Sequence, residues 1–149
     1  LERSFGPDAD LEPLIRSLGR EFHLEEAIFL GKVGVSVARE NLVSGSFTRL
    51  SSVFIALEAG EEVPAGCAEG ALRTLPAGPY ASMSFHGTHR AAAPHYAELC
   101  RWMRGEGLEI AGDSVEITII DAGMTSDEAQ YLTEIQVPCT RARRSTAKS

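Results

Sequence analysis

Two glutamates lie inside strand-like runs, and they are the residues in this sequence best suited to chemistry. Glu134 is in the middle of Tyr131-Leu132-Thr133-Glu134-Ile135-Gln136-Val137-Pro138. Strand alternation puts Thr133, Ile135 and Val137 on one face and Leu132, Glu134 and Gln136 on the other. With helices over the first face, Glu134 and Gln136 point into an open hollow. A carboxylate there pairs with a cation or accepts a hydrogen bond. The plainer alternative is a solvated glutamate on a half-wet sheet. Glu116, in Val115-Glu116-Ile117-Thr118-Ile119, is a parallel candidate of lower rank, with Thr118 and Ile120 on its face.

Aromatic residues are the other candidates. Tyr96 and Trp102 lie six residues apart on one predicted helix, so they need not face the same way. Trp102 falls with Leu99 and Met103 on the expected core stripe. Phe85, Phe47 and Phe54 could form a pocket wall, but aromatic residues in strands are usually core. His86, His89, His95 and Cys100 are spaced His-x2-His, His-x5-His and His-x4-Cys, which matches no zinc pattern. There is no GxSxG elbow, P-loop or GxGxxG fingerprint, so no metal and no cofactor are expected.

These side chains need elements to hold them. Asp8-Ala9-Asp10, followed by Leu11, Leu14, Ile15, Leu18 and Phe22, predicts an amphipathic helix ending near His23. Strands are predicted over 27–38 and 48–57, joined by a turn over 41–46. Residues 60–66 read as a loop. Pro76, Gly78 and Pro79 break the next stretch into a short strand, a turn and a strand over 80–85. A loop over 86–90 leads into a helix over 91–104, stopped by Gly105 and Gly107. Strands follow over 115–120 and 129–137, the last ended by Pro138. Each half thus reads helix, strand, turn, strand, and Leu1 to Phe5 is left to open the first half as strand 80–85 opens the second. The expected fold is α+β: a tandem βαββ repeat, an antiparallel sheet with two helices on one face and a ligand cleft on the other.

The chain has 149 residues, 44% hydrophobic and 23% charged, enough for one domain with a real core. Its formal charge is −7, from 14 basic and 21 acidic residues. Arg141, Arg143, Arg144 and Lys148 all lie in the last ten positions, so residues 1–139 read as the domain and 140–149 as a basic, disordered tail. The acidic body repels phosphate backbones, so DNA contact would have to come through a domain absent from this chain. No apolar run is long enough to span a membrane. Leu1-Glu2-Arg3-Ser4 has no signal-peptide pattern and no initiator Met, which reads as a piece of a longer protein. Cys67, Cys100 and Cys139 are odd in number and form no CxxC, as expected of reduced thiols in the cytoplasm.

Several runs together resemble the GyrI-like effector-binding domain, the small-molecule module found behind MerR-type and AraC-type DNA-binding domains and as stand-alone proteins. They are Leu75-Pro76-Ala77-Gly78-Pro79-Tyr80-Ala81, Phe85-His86-Gly87, Leu99-Cys100-Arg101-Trp102-Met103, Gly107-Leu108, Val115-Glu116-Ile117 and Leu132 to Pro138. Leu1 to Gly6 is similar to the end of the family's first strand. The resemblance implies the tandem βαββ fold and a ligand contact at Glu134, because members that bind cationic drugs use a glutamate in this strand. The sequence departs from the family at His89, where tyrosine is common, and at Thr118, where an aromatic is common. Both changes thin the aromatic lining and favour a smaller or more polar ligand.

The leading expectation is an effector- or multidrug-binding domain of a bacterial transcriptional regulator, MerR-type first. It would sense a small organic molecule, cations included, and its full-length protein would be compatible with a homodimer. The expected ligand contacts are Glu134, Tyr96, Trp102, Phe85, Glu116, Gln136 and His89. The alternative is a stand-alone GyrI-like hydrolase of a small electrophile, with Glu134 as general base and Tyr96 or Tyr131 assisting. A protein-binding module that uses the open face comes last, because Glu134 and Gln136 make that face polar.

Overall fold

The computed structural model describes residues 2–5, 33–62, 72–120 and 125–143. The helix expected over 8–23, part of the 27–38 strand, Cys67, and residues 121–124 and 144–149 lie outside them.

The described elements, in chain order, are β1 (Glu2–Phe5), β2 (Val33–Ser36), α1 (Arg39–Ser44), β3 (Leu50–Ile55), β4 (Tyr80–His86), α2 (Ala92–Gly105), β5 (Leu108–Ile110), β6 (Val115–Ile120) and β7 (Leu132–Arg141). Short 3-10 turns occupy His89–Ala91 and Glu128–Gln130. Six strands form an antiparallel sheet in the order β1-β3-β2-β6-β7-β4, and β5 pairs with the far end of β7. From either edge toward the centre the order runs through the opening, last and middle strands of each half.

The main helix, α2, forms because its apolar residues recur at helical spacing. Ala92, Tyr96, Leu99, Cys100 and Met103 are buried along one stripe. That stripe packs on Ala81 and Phe85 of β4 and on Ile135, Val137 and Cys139 of β7, with Val37 and Leu42 completing the core. The helix runs through Gly105 and stops at Gly107, whose φ of 68° is left-handed.

Five local expectations are corrected. The turn over 41–46 begins with a short helix, α1, and Gly45 (φ 81°) caps it, with the Ser46 N–H reaching back to the Asn41 carbonyl at 2.8 Å. β7 does not end at Pro138. Beyond it β5 takes over the pairing with Cys139, Thr140 and Arg141, and the Pro138 carbonyl accepts the Ala111 N–H at 2.8 Å. No short strand precedes β4 among the described residues. Trp102 is not in the core; one position off the Met103 stripe, it is 52% exposed. Residues 140 and 141, expected in the tail, belong to β7.

Candidate functional site

Strand register decides which of the sequence candidates meet. Glu116 stands opposite Ile135 of β7 and Val35 of β2, so it shares the face that α2 and the core cover. Thr118 and Thr133 are paired on the same face. Glu134 stands opposite Ile117 of β6 and Ser84 of β4, which puts it on the other face. The two glutamates therefore lie on opposite sides of one sheet.

Glu116 is wholly buried, with 0% of its surface exposed. A charged side chain is buried so completely only when something compensates it. Here His89 does so: its Nδ1 is hydrogen-bonded to Glu116 Oε2. The His89 Nε2 lies 3.1 Å from Thr118 Oγ1, and that hydroxyl lies 3.1 Å from Thr133 Oγ1. Thr133 donates to the Gly87 carbonyl at 2.9 Å. No group among the described residues donates to the other carboxylate oxygen, Oε1.

Gly87 sets the position of His89. Its φ of 135° turns the chain out of β4 into the His89–Ala91 turn, and its N–H donates to the Tyr131 carbonyl at 2.8 Å. A side chain there would strain the backbone at this φ, although the added carbon would meet Ala91 at ordinary contact distance, 3.4 Å. The turn lays His89 over β6 with 18% of its side chain exposed, so the buried cluster reaches the surface through this ring.

Tyr96 enters from α2. It is fully buried, stacks on Phe47 with ring centroids 5.8 Å apart, and shares a 2.8 Å hydrogen bond with Ser114 Oγ. Ser114 Oγ also accepts the Val37 N–H at 2.9 Å. Burial pushes the Tyr96 hydroxyl well above the usual phenol range, and the nearby negative charge of Glu116 pushes it further. Tyr96 thus keeps its proton and remains a donor. Burial likewise raises the Cys100 thiol; Cys100 and Cys139 are both free.

The structure therefore gathers Glu116, His89 and Tyr96 and separates the other expected contacts from them. Glu134 and Gln136 are half-buried and hydrogen-bond to each other. Phe54, on their face, lies across Gly34, where an added carbon would meet its ring at 2.3 Å. Glu134 and Tyr96 cannot act as a base and its assistant, because the sheet separates them; Tyr131, at the head of β7, is half-buried. Phe85 is core, stacked on His95 at 4.3 Å. Trp102 lines a cavity of about 290 Å³ with Pro79, Tyr80, Ala81, Leu108, Cys139, Thr140 and Arg141, none of them in the polar cluster. Ser114 and Thr133 carry the cluster's hydrogen bonds and had no signal in the sequence beyond their strand parity. Among the described residues no group of three or more histidine, cysteine and acidic side chains is placed to hold a metal, and no helix is long and apolar enough to cross a membrane.

A family model described as the GyrI-like small molecule binding domain matches residues 6–140. No curated protein and no solved structure is similar enough to match.

Proposed function

The chain belongs to the GyrI-like small molecule binding domains, and from that premise we propose that Glu116, with Tyr96 beside it, is the polar anchor for a small organic ligand. The observation that carries this reading is Glu116 Oε1, a buried acceptor to which no group among the described residues donates. A buried acceptor without a donor costs about 1–3 kcal/mol, and more when charged, so a fold retains one where something else supplies the donor. Tyr96 adds a second fixed polar group, and Phe47 adds an apolar wall. A few convergent polar groups against apolar packing are the usual make-up of a small-molecule site.

The biological role we propose is sensing for a transcriptional regulator, MerR-type first. The mirrored strand order supports two sister halves, the arrangement the family resemblance implied. Ligand binding would bias one of two states of a regulator whose DNA-binding part is a separate domain.

The test is a thermal-shift screen of small neutral and cationic aromatics, followed by titration of each hit against Glu116→Leu. A hit at a hundred times its Kd stabilises the protein by about 2.7 kcal/mol. Glu116→Leu, which removes the acceptor, is expected to weaken hits about tenfold or more, the loss of one hydrogen bond. Undiminished binding in that variant refutes the anchor.

A hydrolytic role is the second reading, and one observation favours it: a buried carboxylate and an un-ionised phenol share one spot. Turnover of an epoxide or activated cyclopropane, abolished in Glu116→Gln and reduced in Tyr96→Phe, would distinguish it from simple binding.

A further inference from the structure

Resting on the reading of Glu116 as the ligand contact, we propose that His89 neutralises this carboxylate from within and so sets the site to take a neutral hydrogen-bond donor in preference to a cation. One chain of hydrogen bonds fixes the proton count of the pair. The Gly87 carbonyl can only accept, so the Thr133 hydroxyl spends its proton there. Thr133 Oγ1 must then accept from Thr118, which spends the Thr118 proton. Thr118 Oγ1 is left as an acceptor, so the His89 Nε2 beside it carries a proton.

That proton fixes the charge of the pair. With Nε2 protonated, the contact between Nδ1 and Glu116 Oε2 also needs one proton, because two acceptors do not bond. If it stays on the ring, the pair is imidazolium and carboxylate. If it stays on the glutamate, the pair is imidazole and carboxylic acid. The sum is zero in both cases. The other side chains bonded into the cluster, Tyr96, Ser114, Thr118 and Thr133, are uncharged. Cys100, on the same helix as Tyr96, keeps its proton too.

The ligand class follows. In either form Glu116 Oε1 is an acceptor, so the guest must bring an N–H or O–H. In either form no net negative charge remains to repay the dehydration of a cation. An amide, lactam, alcohol or phenol meets both conditions, and a quaternary ammonium ion meets neither. The acidic surface of the body still draws cations toward the protein, but at this spot the counter-charge is already built in.

Two measurements test the proposal. The ring nitrogens of His89 in ¹⁵N-labelled protein, assigned from ring-to-backbone correlations and by their loss in His89→Gln, report the proton count without any ligand. A proton on Nε2 at neutral pH is expected; a bare Nε2 overturns the proposal. Benzamide and benzamidinium are nearly isosteric donors that differ by one charge, and calorimetric titration of both reads the selectivity. Wild type is expected to take benzamide at least as tightly as benzamidinium. His89→Gln, which leaves Glu116 without a counter-charge, is expected to move the ratio about tenfold or more toward benzamidinium. A wild-type preference of about tenfold for benzamidinium, or a ratio unmoved in His89→Gln, overturns the proposal. If Nε2 is protonated and neither probe binds, Glu116 is not the ligand contact, and the selectivity falls with that reading while the neutral pair stands.

Discussion

Removing either partner of the His89–Glu116 pair should have opposite consequences for stability. In His89→Ala the carboxylate, 0% exposed while the ring covers it, loses the hydrogen bond that His89 makes to it. Breaking a buried pair in this way costs about 3–5 kcal/mol, much of it the penalty of the stranded charge. The low end applies here, about 3 kcal/mol, because water can enter through the gap left by a ring that is 18% exposed. For a chain of this length that corresponds to a fall in Tm of about 6–12 °C. Glu116→Gln keeps the volume, and its amide can donate to Nδ1 while the proton on Nε2 stays where the threonine chain needs it. No bond is lost and a buried ionisable group is removed, so stability should hold within about 0.5 kcal/mol or rise. Urea unfolding of both variants without ligand, with midpoint and slope recorded, measures the difference. Equal losses in the two variants would refute the reasoning, since a pair that matters only by its contact should not care which partner leaves.

Three further outcomes are expected. Tyr96 holds its proton more tightly folded than unfolded, so stability should be full below the ordinary phenol value of about 10 and fall as pH rises past it, and Tyr96→Phe should flatten the slope by about one proton. Cys100 has the same sign and should retain a smaller alkaline slope in that variant, read from unfolding midpoints across alkaline pH. Gly87→Ala, at a φ of 135°, should cost about 1–3 kcal/mol in urea unfolding and weaken any ligand held at Glu116, because it displaces His89. Glu134→Ala should change stability by about 0.5 kcal/mol or less and leave that binding intact; loss of binding there with retention in Glu116→Leu would move the site to the opposite face.

Alternation made the faces of each strand legible in the sequence, but it did not say which face the core would take. In β7 the two questions had one answer: Thr133, Ile135 and Val137 are buried, as their pattern suggested. In β6 they diverged. Val115, Ile117 and Ile119 share a parity that reads as core, yet Glu116 and Thr118 face α2, while on the other side Val115 is buried, Ile117 half-buried and Ile119 exposed. The choice is made by register, through Glu116 opposite Ile135, and register is a long-range property with no local signal. The His89–Glu116 contact was hidden for the same reason, since it joins a turn to a strand 27 residues away. Pro138 misled in another way: it ends a strand where the next residue would need its N–H, but here β5 enters with Cys139 and only the Pro138 carbonyl is used.

His89 and Thr118, the two positions where the family resemblance breaks, looked in the sequence like separate losses of aromatic lining. In the structure they form one unit, joined at 3.1 Å. Thr118 accepts the hydrogen bond of the ring N–H and passes the chain on to Thr133 and the Gly87 carbonyl. Thr118→Phe alone would leave the ring N–H facing a hydrocarbon. His89→Tyr alone would leave the carboxylate without its neutralising proton. In the double variant the stranded ring N–H is gone while the carboxylate stays unpaired, so the two changes together should cost less than the sum of their single costs, with a coupling of about 1–3 kcal/mol in a double-mutant cycle. The double variant should also regain a preference for benzamidinium over benzamide, because its carboxylate has no partner left to neutralise it. Additivity within about 0.5 kcal/mol would mean that the two residues only happen to touch.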